Sequence, residues 1–234
     1  PEQFNLAIED VILATPLTVA EAAAAGTSID AALNVADFDA ASAAGDITVE
    51  FAIADTSENI LAVDAEFFTG ASAITVTDEV VAVSVADYQT LATLGATFAE
   101  GVVPSISDTV ENILAAAADL VDADGVAIAP IAATDVAFVV TAAQGVLLDS
   151  LGVDFGLETT ATVEDTAAGI LAAEAELAAV IADPESIPIA VSVTGAEVTL
   201  TVAELGALNA LHATFVAAPN VVDTLAISEV EGAL

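Results

Sequence analysis

One stretch recurs along this 234-residue chain: IADTSENIL at Ile53–Leu61, ISDTVENIL at Ile106–Leu114, VEDTAAGIL at Val163–Leu171, and a shortened VVDTLAI at Val221–Ile227. The Asp-Thr pairs fall at Asp55 and Thr56, Asp108 and Thr109, Asp165 and Thr166, and Asp223 and Thr224, in steps of 53, 57 and 58 residues. Self-similarity at a nearly fixed period is the mark of a repeat architecture, in which each unit buries its apolar face on a neighbour. The step exceeds that of common two-helix repeats, so each unit is expected to hold more than two elements.

The pattern predicts a mixed α/β repeat array with units of about 55 residues, each holding two short helices and two to three short strands. An incomplete unit fills 1–50, full units fill 51–105, 106–162 and 163–220, and 221–234 opens another that is expected to complete a neighbouring subunit. Within a unit the expected order is helix, strand, strand, helix, short strand. Asp55 reads as the N-cap of a first helix, with Glu58 three residues on to close a capping box. Asp108 and Glu111 repeat the pair, and Asp165 has Ala168 in the box position. Strand pairs are expected around short turns, at Ile74–Thr77 with Val80–Val85, at Val126–Ile131 with Val136–Val140, and at Ile187–Val193 with Val198–Val202. Second helices open on a polar-x-Ala-acid/amide start at Thr18, Asn34, Ser84, Thr141 and Thr201.

Charge bounds the partners. The chain has no Lys or Arg, 37 Asp plus Glu and a formal net charge of −37, yet 57% of its residues are hydrophobic. Disorder goes with low hydrophobicity, and here it is high and periodic. Phosphate recognition runs on Lys and Arg, so nucleic acid is argued against, and so is an anionic membrane surface. The longest uncharged run, Leu205–Val222, carries Gly206, Asn209, His212, Pro219 and Asn220, which makes a poor membrane span. Zero cysteine removes disulfides, thiolate catalysis and zinc–thiolate sites. No basic n-region of a signal peptide is visible in the opening PEQFNLAIED.

Candidate sites are few. Asp122 and Asp124, before Gly125, resemble the start of a calcium loop, D-x-D-G; Asp78 with Glu79, and Asp183 with Glu185, form further acidic turns. These six are the candidate metal ligands, with Ca2+ as the candidate ion; the competing reading is a solvated acidic surface. The Asp-Thr pairs offer oxygen ligands too, but their spacing favours helix capping. His212, the single histidine, sits in the apolar stretch LNALHATFV and reads as a buried or half-buried structural residue on a helix. No nucleophile elbow, phosphate loop, zinc-protease motif or dinucleotide fingerprint is present, so no catalytic residues are assigned.

The motif Asp-Thr-x-x-Asn-Ile-Leu, followed by a valine-rich hairpin and a T-x-A-E/Q helix, resembles the D-T-A-x-N-I repeats of large secreted bacterial surface proteins, which accompany RTX-type and adhesin-like modules. The resemblance covers about residues 51–224, with Asn59 and Asn112 in the Asn position and Gly169 departing from it. It implies a secreted structural or adhesive role rather than an enzyme.

The expectation is an extracellular or cell-surface structural protein, a filament or surface-layer subunit that assembles with itself. The alternating segment Phe4, Leu6, Ile8 and the apolar Leu225 and Ile227 are the expected assembly residues, each subunit adding a strand to the next. The alternative is a calcium-responsive adhesin or binding segment of a longer secreted chain.

Overall fold

The computed structural model describes residues 10–12, 15–24, 48–183 and 187–222. The chain divides into two compact units, Pro1–Ile106 and Ser107–Leu234. Both are mixed α/β, built of short helices and parallel strands.

In the first unit, β1 (Asp10–Ile12), β2 (Thr48–Asp55), β3 (Ala71–Val76) and β5 (Thr97–Phe98) form one sheet in the order β1-β2-β3-β5. Ile53 pairs with Ile74 and Asp55 with Val76, and Val76 pairs in turn with Phe98. β4 (Ala82–Val83) lies instead beside β6 (Ser105–Asp108), with Val83 opposite Ile106. The helices are α1, whose described residues are 19–24, α2 (Ser57–Leu61) and α3 (Val85–Thr93), with a 3-10 turn at Ala65–Phe68. Ile53, Ile60, Ile74, Val76, Val81 and Leu91 anchor the core, joined by Phe68. Phe67 is the less buried of that aromatic pair; the rings meet edge to face with centroids 5.4 Å apart.

In the second unit, β8 (Ala137–Val140), β10 (Thr160–Thr166), β11 (Ile189–Thr194) and β13 (Thr214–Phe215) run in the order β13-β11-β10-β8. Val163 pairs with Val191 and with Val140, and Val193 pairs with Phe215. β7 (Ile131–Ala133) pairs with β9 (Asp154–Phe155), and β12 (Thr199–Leu200) pairs with β14 (Asn220–Val221). The helices are α4 (Val110–Ala115), α5 (Ala142–Ser150), α6 (Ala167–Ala172), α7 (Glu174–Ala182) and α8 (Val202–Ala210).

Three sequence expectations are corrected. The paired valine-rich strands are not hairpins, because β3, β4, β8 and β11 each lie parallel to a strand other than the expected partner, and a parallel neighbour needs a crossover rather than a two-residue turn. β3 and β4 are consecutive in the chain yet belong to different sheets. The expected strand at Val126–Ile131 forms later, at Ile131–Ala133, after a tight turn around Gly125. The first helices start one residue later than expected. Asp55 ends β2, and Thr56 is the N-cap, its Oγ1 accepting from the Asn59 N–H; Thr109 with Asn112 and Thr166 with Gly169 do the same. Glu58 and Glu111 therefore fall outside the box position, and so does Ala168.

The second-helix starts behave as expected. Thr141 with Gln144 and Thr201 with Glu204 make reciprocal capping boxes, and Thr18 with Glu21 shows the same bonds. Ser84 Oγ accepts from the Asp87 N–H. Each cap contributes about 1 kcal/mol. The start at Asn34 lies outside the described residues.

The far ends of α3, α5 and α8 close alike. Gly95, Gly152 and His212 follow the C-caps with φ of +68°, +62° and +54°, each donating to a carbonyl three residues back while the next residue donates five back. That is the left-handed closure glycine favours, and the third instance places an imidazole in it. His212 is thus exposed just past a helix end, not buried on a helix face. His212→Gly is expected to raise stability by about 0.5–1 kcal/mol, the left-handed penalty less the extra freedom of the unfolded glycine. Urea unfolding measures it; a loss would show that the imidazole makes a stabilising contact.

Candidate functional site

The Asp-Thr aspartates sit where a strand passes into a helix. β2 delivers Asp55 with 8% of its surface exposed. One carboxylate oxygen accepts from the Thr56 N–H at 2.8 Å and from the Asn59 side-chain amide at 2.8 Å. The other accepts from the Val19 N–H at 2.9 Å, the first N–H of α1. One carboxylate therefore ties the start of α2 to the start of another helix 36 residues earlier. Asp165 does likewise, taking the Thr166 N–H at 2.7 Å and the Ala142 N–H, first in α5, at 3.1 Å. Asp108 accepts from the Thr109 N–H and the Asn112 amide, both at 2.7 Å. Helix N-termini expose unpaired N–H groups and a partial positive charge, which is what a carboxylate satisfies. The chain has no Lys or Arg, and among the described residues Asp55, Asp78, Asp135 and Asp165 find their partners in such N–H groups.

At Gly169 an added Cβ would lie 2.6 Å from the Asp165 carboxylate. Asn59 and Asn112 hold this position in the first two copies, whereas here it is glycine and Asp165 also faces the Thr166 hydroxyl at 3.4 Å.

A second set of acids works the same way from the strand that follows. Asp78, half-buried after β3, accepts from the Ser57 N–H at 2.6 Å, the first N–H of α2. Asp135, after β7, accepts from the Val110 N–H of α4 at 2.6 Å. Asp135 went unremarked in the sequence; the signal was there, since Thr134-Asp135 stands 57 residues after Thr77-Asp78.

The other candidate metal ligands are dispersed. Asp122 folds onto its own turn, accepting from the Asp124 and Val126 N–H groups at 2.9 Å each. Asp124 and Glu79 are exposed, and Asp183 caps the end of α7. Glu185 lies outside the described residues, as do Asp223, Thr224 and the assembly residues Phe4, Leu6, Ile8, Leu225 and Ile227. Among the described residues no three His, Asp or Glu side chains gather to hold a metal ion, and no helix is long and apolar enough to cross a membrane.

Titration follows the hydrogen bonds. Burial alone would raise the Asp55 carboxyl, but the bonds from Asn59, Val19 and Thr56 outweigh it and hold the group below the usual range. Glu21 and Glu204 are also lowered, chiefly by the backbone N–H groups of Thr18 and Thr201 that they cap.

The other distinctive surface is at β14. Among the described residues it has β12 on one side and no strand on the other. Asn220 and Val222 donate to Val198 and Leu200 of the β12 side at 2.7 and 2.8 Å. Backbone donors alternate along a strand, so the Val221 N–H faces the other edge. Comparison with protein-family models, curated proteins and solved structures finds no match to this chain.

Proposed function

We propose that the chain is a repeat array of about 55-residue α/β units and serves as a non-enzymatic structural subunit, joined to further copies of itself by parallel strand addition. The support for the array is positional. Leu17 bridges to Ile53, Val83 pairs with Ile106, Val140 with Val163, and Leu200 with Val221. The four second members come from the recurring Asp-Thr stretches.

One observation carries the assembly reading. At this register Ile53, Ile106 and Val163 are 0%, 0% and 2% exposed, whereas Val221 is 45% exposed. β2 and β10 are each flanked by a further parallel strand, β3 and β11, whereas β14 is flanked by β12 alone among the described residues. A strand laid along that edge would take up the Val221 N–H and cover the valine, as in strand addition generally. The alternating segment Phe4–Ile8 of a second copy has the pattern to do it. A contact between unlike surfaces that does not close yields a filament, and in two dimensions a layer. The net charge of −37 keeps such polymers apart in solution and gives divalent cations, calcium among them, a bridging role. An extracellular or surface location suits a chain whose lack of Lys and Arg leaves no trypsin site.

Val221→Pro tests the edge, because it removes the outward donor and leaves the Asn220 and Val222 bonds to β12 in place. The variant is expected to keep wild-type circular dichroism and to sediment as monomer under conditions where wild type assembles. Assembly equal to wild type would exclude this edge.

A further inference from the structure

Helices α3, α5 and α8 start on matching caps, and their fourth residues are Tyr88, Gly145 and Leu205. In the first unit Tyr88 packs against the core. In α5 the same position has no side chain, and a Cβ there would only just reach Val163, Leu177 and Val140, at 3.8–3.9 Å. Beyond it is a cavity of about 210 Å³, lined largely by aliphatic side chains that include Leu148 and Leu177. A glycine inside a helix costs stability, and here it opens space that a larger residue would occupy.

The cavity has two further features. Phe138 and Phe155 form one wall as a stacked pair, ring centroids 5.2 Å apart and 23° from parallel. Asp149, Asp154 and Asp183, all solvent-exposed, also line it, in a chain with no Lys or Arg to balance them. An apolar interior, two aromatic rings and exposed carboxylates together complement a cation with a hydrophobic body, since aromatic rings and carboxylates both attract an ammonium group. The volume is somewhat more than the ~150 Å³ that accepts benzene.

We propose that this cavity is a binding site for a small organic ammonium ion carrying one aromatic ring or a short alkyl chain, the body seated above Gly145 and the charge among the three aspartates. The assignment is independent of the assembly reading.

The test is titration of the 234-residue protein with 2-phenylethylammonium, followed by calorimetry and by shifts of the Phe138 and Phe155 ring resonances. Methylammonium serves as the charge-only probe and 2-phenylethanol as the neutral one. Saturable 1:1 binding is expected, with each control probe at least tenfold weaker. Gly145→Leu, which puts into the cavity the residue type that α8 carries at this position in Leu205, should abolish binding. Asp149→Asn with Asp154→Asn, both on the surface, should weaken it about tenfold while Asp124→Asn leaves it unchanged. Equal binding of the neutral probe, equal weakening by Asp124→Asn, or no saturable binding to wild type would each overturn the proposal. If Gly145→Leu fails to fold, the aspartate pair and the probe series still decide it.

Discussion

Asp55→Ala is expected to destabilise the protein by about 3 kcal/mol or more, the largest effect of any single acid among the described residues. The substitution leaves the Val19 N–H, the Thr56 N–H and the Asn59 amide without their acceptor at once. A buried donor left unsatisfied costs about 1–3 kcal/mol, and Asp55 is the one acid among the described residues that is itself buried. Thr18 and Thr56 remain as N-caps, but both helix starts lose an acceptor at once, so the loss exceeds that of an ordinary N-cap. Removal of one negative charge from a chain of net −37 works in the opposite direction, but at long range and screened by salt. The sign of the pH dependence follows from the lowered carboxyl. Its contribution is complete above the unfolded value, near 3.8, and disappears as pH falls through the lower folded value. Acid also discharges the other carboxylates and relieves their repulsion, so wild type must be compared with Asp55→Asn at each pH. The stability gap between them is expected to be full at pH 6–7 and to close below pH 3.8. A gap that stays constant down to pH 2 would show that the charge on Asp55 contributes nothing.

The second large effect is in the core. Ile113→Ala is expected to cost about 3–4 kcal/mol in urea unfolding, within the range for a large aliphatic side chain removed from a packed interior. Ile113 is 0% exposed on α4, and Ile60 and Ile170 are equally buried on α2 and α6. All three follow an Asp-Thr pair by the same number of residues, so the position is expected to be equally sensitive in each. Val139, 61% exposed on β8, is the control, and its replacement by alanine should change stability by about 0.5 kcal/mol or less. A cost below about 1 kcal/mol at Ile113 would mean that the helix is not docked as described.

The sequence was most legible where local chemistry decides the structure. Thr141 with Gln144 and Thr201 with Glu204 announce helix starts because a hydroxyl and a carbonyl or carboxylate three residues apart satisfy each other's backbone donors. The Ile at the fifth position after Asp55, Asp108 and Asp165 announces burial. The partners of the strands were not legible. Alternation in Ile74–Val76 and in Ala82–Val83 specifies which face is apolar, but not that the first lies beside β2 and the second beside β6. Two-residue strands such as Thr97–Phe98 and Thr214–Phe215 are too short for any period to register. Helix α7 was missed because its N-cap is Ala173, which has no side-chain bond to offer. The aspartates read as ordinary N-caps, one residue too early, because the sequence holds no sign that Asp55 reaches Val19.

The most direct measurement of the assembly claim is the mass of the purified chain by light scattering, in calcium and then in chelator. Species that grow well beyond the 23.1 kDa monomer, and that Val221→Pro abolishes, are the predicted result. Shrinkage in chelator would place cations at the contacts, and indifference to it would leave strand addition alone as the join. A folded monomer under both conditions would contradict the account.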